Sequence, residues 1–287
     1  METPINLNDD IPLPAYDLVP QGAYRAFTFE SSRGCNGNCS FCSIIYKKCW
    51  RGYSAESTVK RLLSSEKILR NKISDKIMDF TDDHFFEDIQ RAKDILTKLE
   101  NTILRVYSIT LEAKLKVFYD SELCKILKKF PYLNIQVGVE CGYDTGLKKI
   151  RKGIRKKDIL DVAEILYKEG LNKNVFFSFI IGFPWETKEE IFETLNTVAI
   201  VKSKYKIAIN CVWWLPLPSA EFEILRKIDP SFTYSIFDDM NWINNKNIFQ
   251  KSRPQLSSAD IQEINLIMKN FSRFGYNLKL LGGSNNK

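Results

Sequence analysis

Within residues 30 to 44, ESSRGCNGNCSFCSI, three thiols (Cys35, Cys39 and Cys42) stand in a C-x-x-x-C-x-x-C run. Three chemistries compete for thiols this close. Zinc takes thiolates at C-x-x-C spacing, but a structural zinc site closes on four ligands. The fourth would have to be Cys49, seven residues past Cys42, or His84, the only histidine, and neither makes a recognised zinc pair. Buried thiols without a metal belong on an apolar face, whereas RGCNGNCS is a loop rich in Gly and Asn. An iron–sulfur cubane is held by thiolates, and three of them on four irons leave one iron open for a substrate or cosubstrate. Gly34 and Gly37 allow such a loop to fold tightly and turn its N–H groups toward the sulfides.

The elements that must carry this loop are visible as a change of period. Short apolar or β-branched runs at 24–31, 76–83, 103–110, 134–141, 174–183 and 206–215 predict six strands. Segments of helical period near 55–70, 87–99, 119–129, 156–169 and 187–203 predict five helices between them. Strict β-α alternation implies parallel strands with right-handed crossovers, hence an α/β sheet that is doubly wound or rolled into a barrel. Both architectures put their chemistry at the carboxyl ends of the strands. The polar and special residues gather there, in ESSRGC, TDDHFFED, TLEAK, ECGYD, GFPWET and WWLPLPSAE. After residue 215 the alternation fails. Residues 229–256 are irregular, with Trp242 and Phe249 expected against the core, 257–274 reads as a capped amphipathic helix, and 282–287 as a frayed tail.

Composition bounds the class. The chain has 287 residues, 44% hydrophobic and 27% charged, enough for one large core or two smaller ones. No apolar run approaches the about 18 residues of a membrane span, and the N-terminus lacks the pattern of a signal peptide. Seven unevenly spread cysteines fit a reduced compartment, so a cytoplasmic protein is expected, with no membrane partner. The net charge of +7 is diffuse apart from KKIRKGIRKK (148–157), which reads as a solvated helix face, with phosphate or nucleic-acid binding as the minority reading, so no nucleic-acid partner is expected.

With Phe41 one residue before the last cysteine, the run resembles the signature of the radical S-adenosylmethionine (SAM) enzymes. The resemblance continues through TDDHFFED, VGVECGYDTGLKKIRKG and FIIGFPWETKEEI to LPLPSAE. It is greatest to the branch that often carries a cobalamin-binding domain in front of the barrel. It implies a partial (β/α)6 TIM-type barrel over 24–215, a linker-like segment at 1–23 and a C-terminal extension at 216–287 that closes the barrel mouth. It also implies a [4Fe-4S] cluster on Cys35, Cys39 and Cys42 whose open iron chelates S-adenosyl-L-methionine. An electron from the reduced cluster, delivered by a donor such as flavodoxin or ferredoxin, then splits the sulfonium to give a 5′-deoxyadenosyl radical that abstracts a hydrogen atom.

Carried onto this chain, the resemblance puts Phe41 near the adenine and Thr81, Asp82 and Asp83 on the SAM amino group. The alternative for the acidic pair is capping of the helix at 87–99. Glu140 resembles the family's polar SAM contact at the end of the fourth strand, although Cys141 stands where the family has serine. Gly182, Pro184 and Glu186 match the fifth-strand turn, where glycine lets the backbone approach the adenine. Lys114 and Arg155 are candidates for the SAM carboxylate, with solvent-facing charge as the alternative, and His84 is either a structural histidine or a substrate contact.

Residues 1–23 are too few for a cobalamin-binding domain, which needs on the order of 100. The expected reaction is therefore hydrogen abstraction from a small molecule, sugar or peptide, leading to epimerisation, dehydrogenation, rearrangement or cross-linking in natural-product biosynthesis. Methyl transfer with cobalamin supplied by another chain is the alternative, and a non-catalytic metal or electron-carrier module the alternative of another class. Cys141 and Cys211, near strand ends, are candidate hydrogen-atom donors against the simpler reading of small buried residues. The aromatic residues between 213 and 256 suit a ring or sugar but are equally core material.

Overall fold

The computed structural model describes residues 7, 11–45, 47–239 and 242–271; the tail at 282–287 and the last three positions of the helix expected over 257–274 lie outside them. Strand β1 (Phe27–Phe29) is followed by a short antiparallel ladder of β2 (Ser32–Arg33) with β3 (Arg51–Gly52). Next come α1 (Ala55–Leu69), β4 (Ile77–Phe80), α2 (Ile89–Leu99), β5 (Ser108–Lys114), α3 (Ser121–Leu127) and β6 (Leu133–Glu140). They are followed by α4 (Asp144–Lys149), α5 (Lys156–Lys168), β7 (Val175–Ile181), α6 (Lys188–Tyr205) and β8 (Ala208–Trp213). The alternation then gives way to α7 (Ala220–Ile228), α8 (Lys246–Lys251) and α9 (Ser258–Lys269).

The six long-range strands lie in the order β1-β4-β5-β6-β7-β8, and the pairs from β1 to β6 are parallel. A doubly wound sheet reverses its strand order at a switch point. This one does not, so the α/β fold is that of a partial TIM-type barrel. One strand is displaced from its expected place. Residues 103–106 form a 3-10 turn whose Leu104 N–H is capped by the Thr102 hydroxyl, and β5 starts at Ser108, taking in TLEAK as strand rather than as a strand-end loop.

The chain divides into two compact units, residues 1–37, 44–138 and 162–176, and residues 38–43, 139–161 and 177–287. In the first, the parallel registers align Phe27 with Met78, Phe29 with Phe80, and Leu111 with Ile135, all buried. Each such side chain contributes roughly 1.5–3 kcal/mol on leaving water. The alternate positions Thr28, Asp79, Thr110 and Gln136 are more accessible, so these parallel strands have one polar face instead of the usual two apolar ones. Helices α1, α2 and α3 start at side-chain caps, Ser54, Asp88 and Asp120, each accepting a backbone N–H of the first turn. The segment before β1 is tied to α1 by Arg61, which donates to the carbonyl of Ile11.

The second unit is built on Phe177, Phe179 and Ile181 of β7, Ile209 and Cys211 of β8, and Leu195, Val198 and Val201 of α6, all buried. A full capping box, Thr187 with Glu190, opens α6, and a second, Ser257 with Asp260, opens α9 as its sequence predicts. Trp242 is buried and Phe249 packs edge-on against Trp213, so both aromatics join the core as expected. No described helix is long and apolar enough to cross a membrane.

Candidate metal centre and its surroundings

In the first unit the loop that begins the cysteine run is held by acids from the loop after β4. Asp82 is buried, and its two oxygens accept from Ser31 N–H (2.7 Å), Ser31 Oγ (2.5 Å) and Ser32 Oγ (2.6 Å). Burial pushes its carboxyl above the usual range, opposed by these three bonds. Arg91 of α2, also buried, completes the knot by donating to the Ser31 carbonyl and to the carbonyl of Tyr53. Asp83 accepts the N–H of Gly34 at 2.7 Å. Neither acid caps α2, which Asp88 does, so the capping alternative is not what this pair is for. Thr81 is exposed, and its hydroxyl reaches only the carbonyl of Phe29, at 3.5 Å.

Glu87 was not singled out in the sequence, yet it is the centre of this half. Its Oε2 accepts from Lys114 Nζ (2.6 Å), His84 Nδ1 (2.9 Å) and Asn36 N–H (3.3 Å), and Cys35 Sγ lies 3.7 Å away. The His84 hydrogen bond and the Lys114 ammonium together hold its carboxyl at about 2. His84 Nε2 accepts the backbone N–H of Lys114, which leaves the proton on Nδ1 and makes this histidine structural. Lys114, expected at the SAM carboxylate, is paired here with Glu87.

In the second unit the rest of the loop is fastened to distant segments. Ser40 is buried, its N–H donates to the carbonyl of Ile150, and its hydroxyl donates to Glu221 of α7. The other oxygen of Glu221 accepts from Trp185 Nε1 at 2.6 Å. Phe41 lies 6.1 Å from the ring of Phe183, which stacks on Trp185 at 5.3 Å. Glu140, with φ of 72°, sits in the left-handed region that a non-glycine residue occupies only at a cost. Its Oε1 pairs with Lys152 Nζ at 3.0 Å, and that ammonium also stands 5.9 Å from the Phe41 ring centroid. Lys152 is therefore not part of a solvated face, whereas Lys149 remains exposed with its ammonium over the Trp185 ring.

Several expected contacts fall elsewhere. Arg155 points outward, 72% exposed, with its N–H on Asp158; Lys152, three residues earlier, is the cation beside Glu140. Glu186 is fully buried and closes its own turn, accepting from Gly182 N–H (2.6 Å), Phe183 N–H (3.3 Å) and the Tyr143 hydroxyl (3.3 Å). Gly182 does need its glycine, at φ of 75°, but a Cβ there would meet the Trp213 ring at 2.4 Å. The close approach is thus to an indole of the same unit. Pro184 is buried in this turn. The Cys141 sulfur packs where a Cβ on Gly146 of α4 would strike it at 2.4 Å, and within 3.9 Å of Thr194 on α6. Burial pushes the thiols of Cys141 and Cys211 up to about 12, which keeps both protonated, and both are enclosed as the alternative of small buried residues has it.

Around Cys35 the loop fits a cluster thiolate on two observations. The Gly37 N–H points at Cys35 Sγ (3.2 Å), and a Cβ on Gly37 would fall 3.2 Å from that sulfur and crowd it. Among the described residues no three His, Cys, Asp or Glu side chains converge on a single metal ion. A cubane instead spreads its protein bonds over separate irons.

Comparison with known proteins adds the following. The family model for the radical SAM superfamily matches residues 29–198. An uncharacterized methyltransferase of Pyrococcus horikoshii is 34% identical over 195 residues, 66% of this chain and 41% of the relative. The ribosomal protein uS12 methylthiotransferase of Thermosipho melanesiensis is 25% identical over 69% of this chain and 47% of its own. The chain spans less than half the length of these curated relatives. The solved radical SAM methyltransferase TsrM from Kitasatospora setae, with cobalamin and a [4Fe-4S] cluster bound, aligns with a TM-score of 0.55 at 17% identity, over 74% of this chain and 38% of that one. At that identity the likeness is one of fold.

Proposed function

This chain belongs to the radical SAM superfamily, an enzyme family that uses a [4Fe-4S] cluster and SAM, and from that premise we propose that it takes part in methyl transfer with cobalamin supplied from outside the described residues. The observation that carries this reading is the 34% identity to a relative named as a methyltransferase, over two thirds of the chain. It moves the weight away from direct hydrogen abstraction, and the burial of Cys141 and Cys211 bears only on the epimerisation that would use a thiol donor. When bound, the cluster supplies the electron that splits the SAM sulfonium, and cobalamin the methyl carrier.

The chain's own residues have distinct tasks in this reading. Cys35, Cys39 and Cys42 ligate the cluster. Asp82 and Arg91 lock the turn that leads into the loop, and Glu221 fastens its far side. Phe41, Glu140 and Lys152 form the SAM-facing group: the ring for the adenine, the carboxylate for a donor and the ammonium for a carboxylate. The strained backbone at Glu140 supports this assignment, because such outliers collect at binding sites. Asp83 and Thr81 serve the amino end of SAM, and an external electron carrier completes the system.

The test is anaerobic reconstitution with iron and sulfide, followed by SAM and reductant with and without added cobalamin. Methyl transfer predicts S-adenosylhomocysteine that forms only with cobalamin. Formation of 5′-deoxyadenosine without S-adenosylhomocysteine under both conditions overturns it and returns the reaction to hydrogen abstraction.

A further inference from the structure

One oxygen of Glu87 gathers three nitrogen donors beside the first thiol of the run. Lys114 Nζ, His84 Nδ1 and the Asn36 N–H all point at Oε2, and Cys35 Sγ stands 3.7 Å from it. The ammonium of Lys114 reaches the same place from β5, 3.8 Å from where a Cβ on Gly37 would lie. An ion pair therefore sits directly under the segment Cys35–Gly37. His84 is held on its other nitrogen by the Lys114 N–H, so it orients the carboxylate without adding charge.

We propose that Glu87 is a positioning residue for the cluster, and that the Glu87–Lys114 pair sets the reduction potential of the cluster on Cys35. The inference rests on the reading that Cys35, Cys39 and Cys42 hold the cluster. A cluster's potential follows its net charge and the hydrogen bonds to its sulfurs, and groups bonded behind a ligand tune the metal. The pair is close to neutral as it stands. Removing the carboxylate charge leaves a net positive neighbour, which favours the reduced, more negative cluster. Removing the ammonium leaves a net negative neighbour, which disfavours it. The two changes thus act in opposite directions on one observable, which loosening of the loop does not do.

The experiment is an anaerobic redox titration of the reconstituted full chain followed by electron paramagnetic resonance, on the wild type, Glu87→Gln, Lys114→Met and the double variant. Glu87→Gln should raise the midpoint potential and Lys114→Met lower it, each by about a tenfold change in the reduction equilibrium, about 59 mV for a one-electron couple. The double variant should return close to the wild type. Single variants that shift the same way, or not at all, overturn the proposal. Should Glu87→Gln lose its helical circular dichroism, Lys114→Met alone decides by whether its potential falls. A wild-type chain that takes up no iron overturns the cluster assignment itself, and is thereby told apart from a failure of the Glu87 role.

Discussion

Glu186 is an acid whose burial outweighs its hydrogen bonds. Two backbone N–H groups and the Tyr143 hydroxyl favour its anion, yet complete removal from water pushes its carboxyl up to about 8. In the unfolded chain the group titrates in the ordinary range near 4.5. Between those values the folded state keeps a proton that the unfolded state has lost, so stability falls as pH rises through the window and levels off above it. Glu186→Gln keeps the size and the acceptor without the titration. Urea denaturation at about pH 5 and about pH 8 should show the wild type losing a few kcal/mol, at about 1.4 kcal/mol for each pH unit crossed inside that window, while the variant loses much less; parallel pH profiles would refute it. Read from sequence, Glu186 in GFPWE looked like a cofactor contact, because a motif shows a residue's type and place but not that its oxygens are already used by its own turn. Lys114 and Arg155 misled for the complementary reason. A lysine near a strand end is visible, whereas Glu87, the carboxylate that captures Lys114, depends on the fold, and Arg155 is the solvent-facing charge of its alternative reading.

At the scale of elements the alternating pattern was legible because parallel strands and their crossover helices obey different periods, and six strands and five helices appear, each close to its expected bounds except the strand expected at 103–110. Residues 103–106 misled because an apolar run has strand composition whatever its conformation; a single hydroxyl cap at Thr102 turned it into a 3-10 turn. The β2–β3 ladder, two residues on each side, is too short to have a period. The turn after β7 separates two requirements that glycine meets. Gly182 and Gly153 share φ of 75°, but only at Gly182 is the Cβ position filled, by the Trp213 ring at 2.4 Å. Gly153→Ala should therefore cost only the left-handed penalty, about 1–2 kcal/mol. Gly182→Ala adds displacement of a buried indole and should cost at least about 3 kcal/mol. Chemical denaturation of both variants tests this, and equal losses would show that the Trp213 contact carries no energy.

At the scale of the whole molecule, the cysteine loop is tied within its unit to segments far along the chain. The segments SFC, GFPWE and LPLPSAE were each recognisable as motif, but what connects them was not, because one carboxylate joins positions 181 residues apart. Glu221 is almost wholly buried, and its two oxygens are shared between Ser40 in the loop and Trp185 after β7. The Ala220 N–H donates to the Ser40 carbonyl at 2.9 Å, so the start of α7 grips the loop by backbone as well as side chain. Cutting the side-chain grip leaves the buried Ser40 hydroxyl unsatisfied, at about 1–3 kcal/mol, and releases the half-buried Trp185 N–H. Because Ser40 lies between Cys39 and Cys42, the loss should be felt as slackness of two cluster ligands more than as unfolding. Glu221→Ala is therefore expected to release iron to a chelator on the order of ten times faster than the wild type, while helical circular dichroism at room temperature is retained. Glu221→Gln, which keeps an acceptor for Ser40, should fall between the two. If all three proteins release iron at the same rate, the grip of α7 on the loop is a packing contact without a part in holding the cluster.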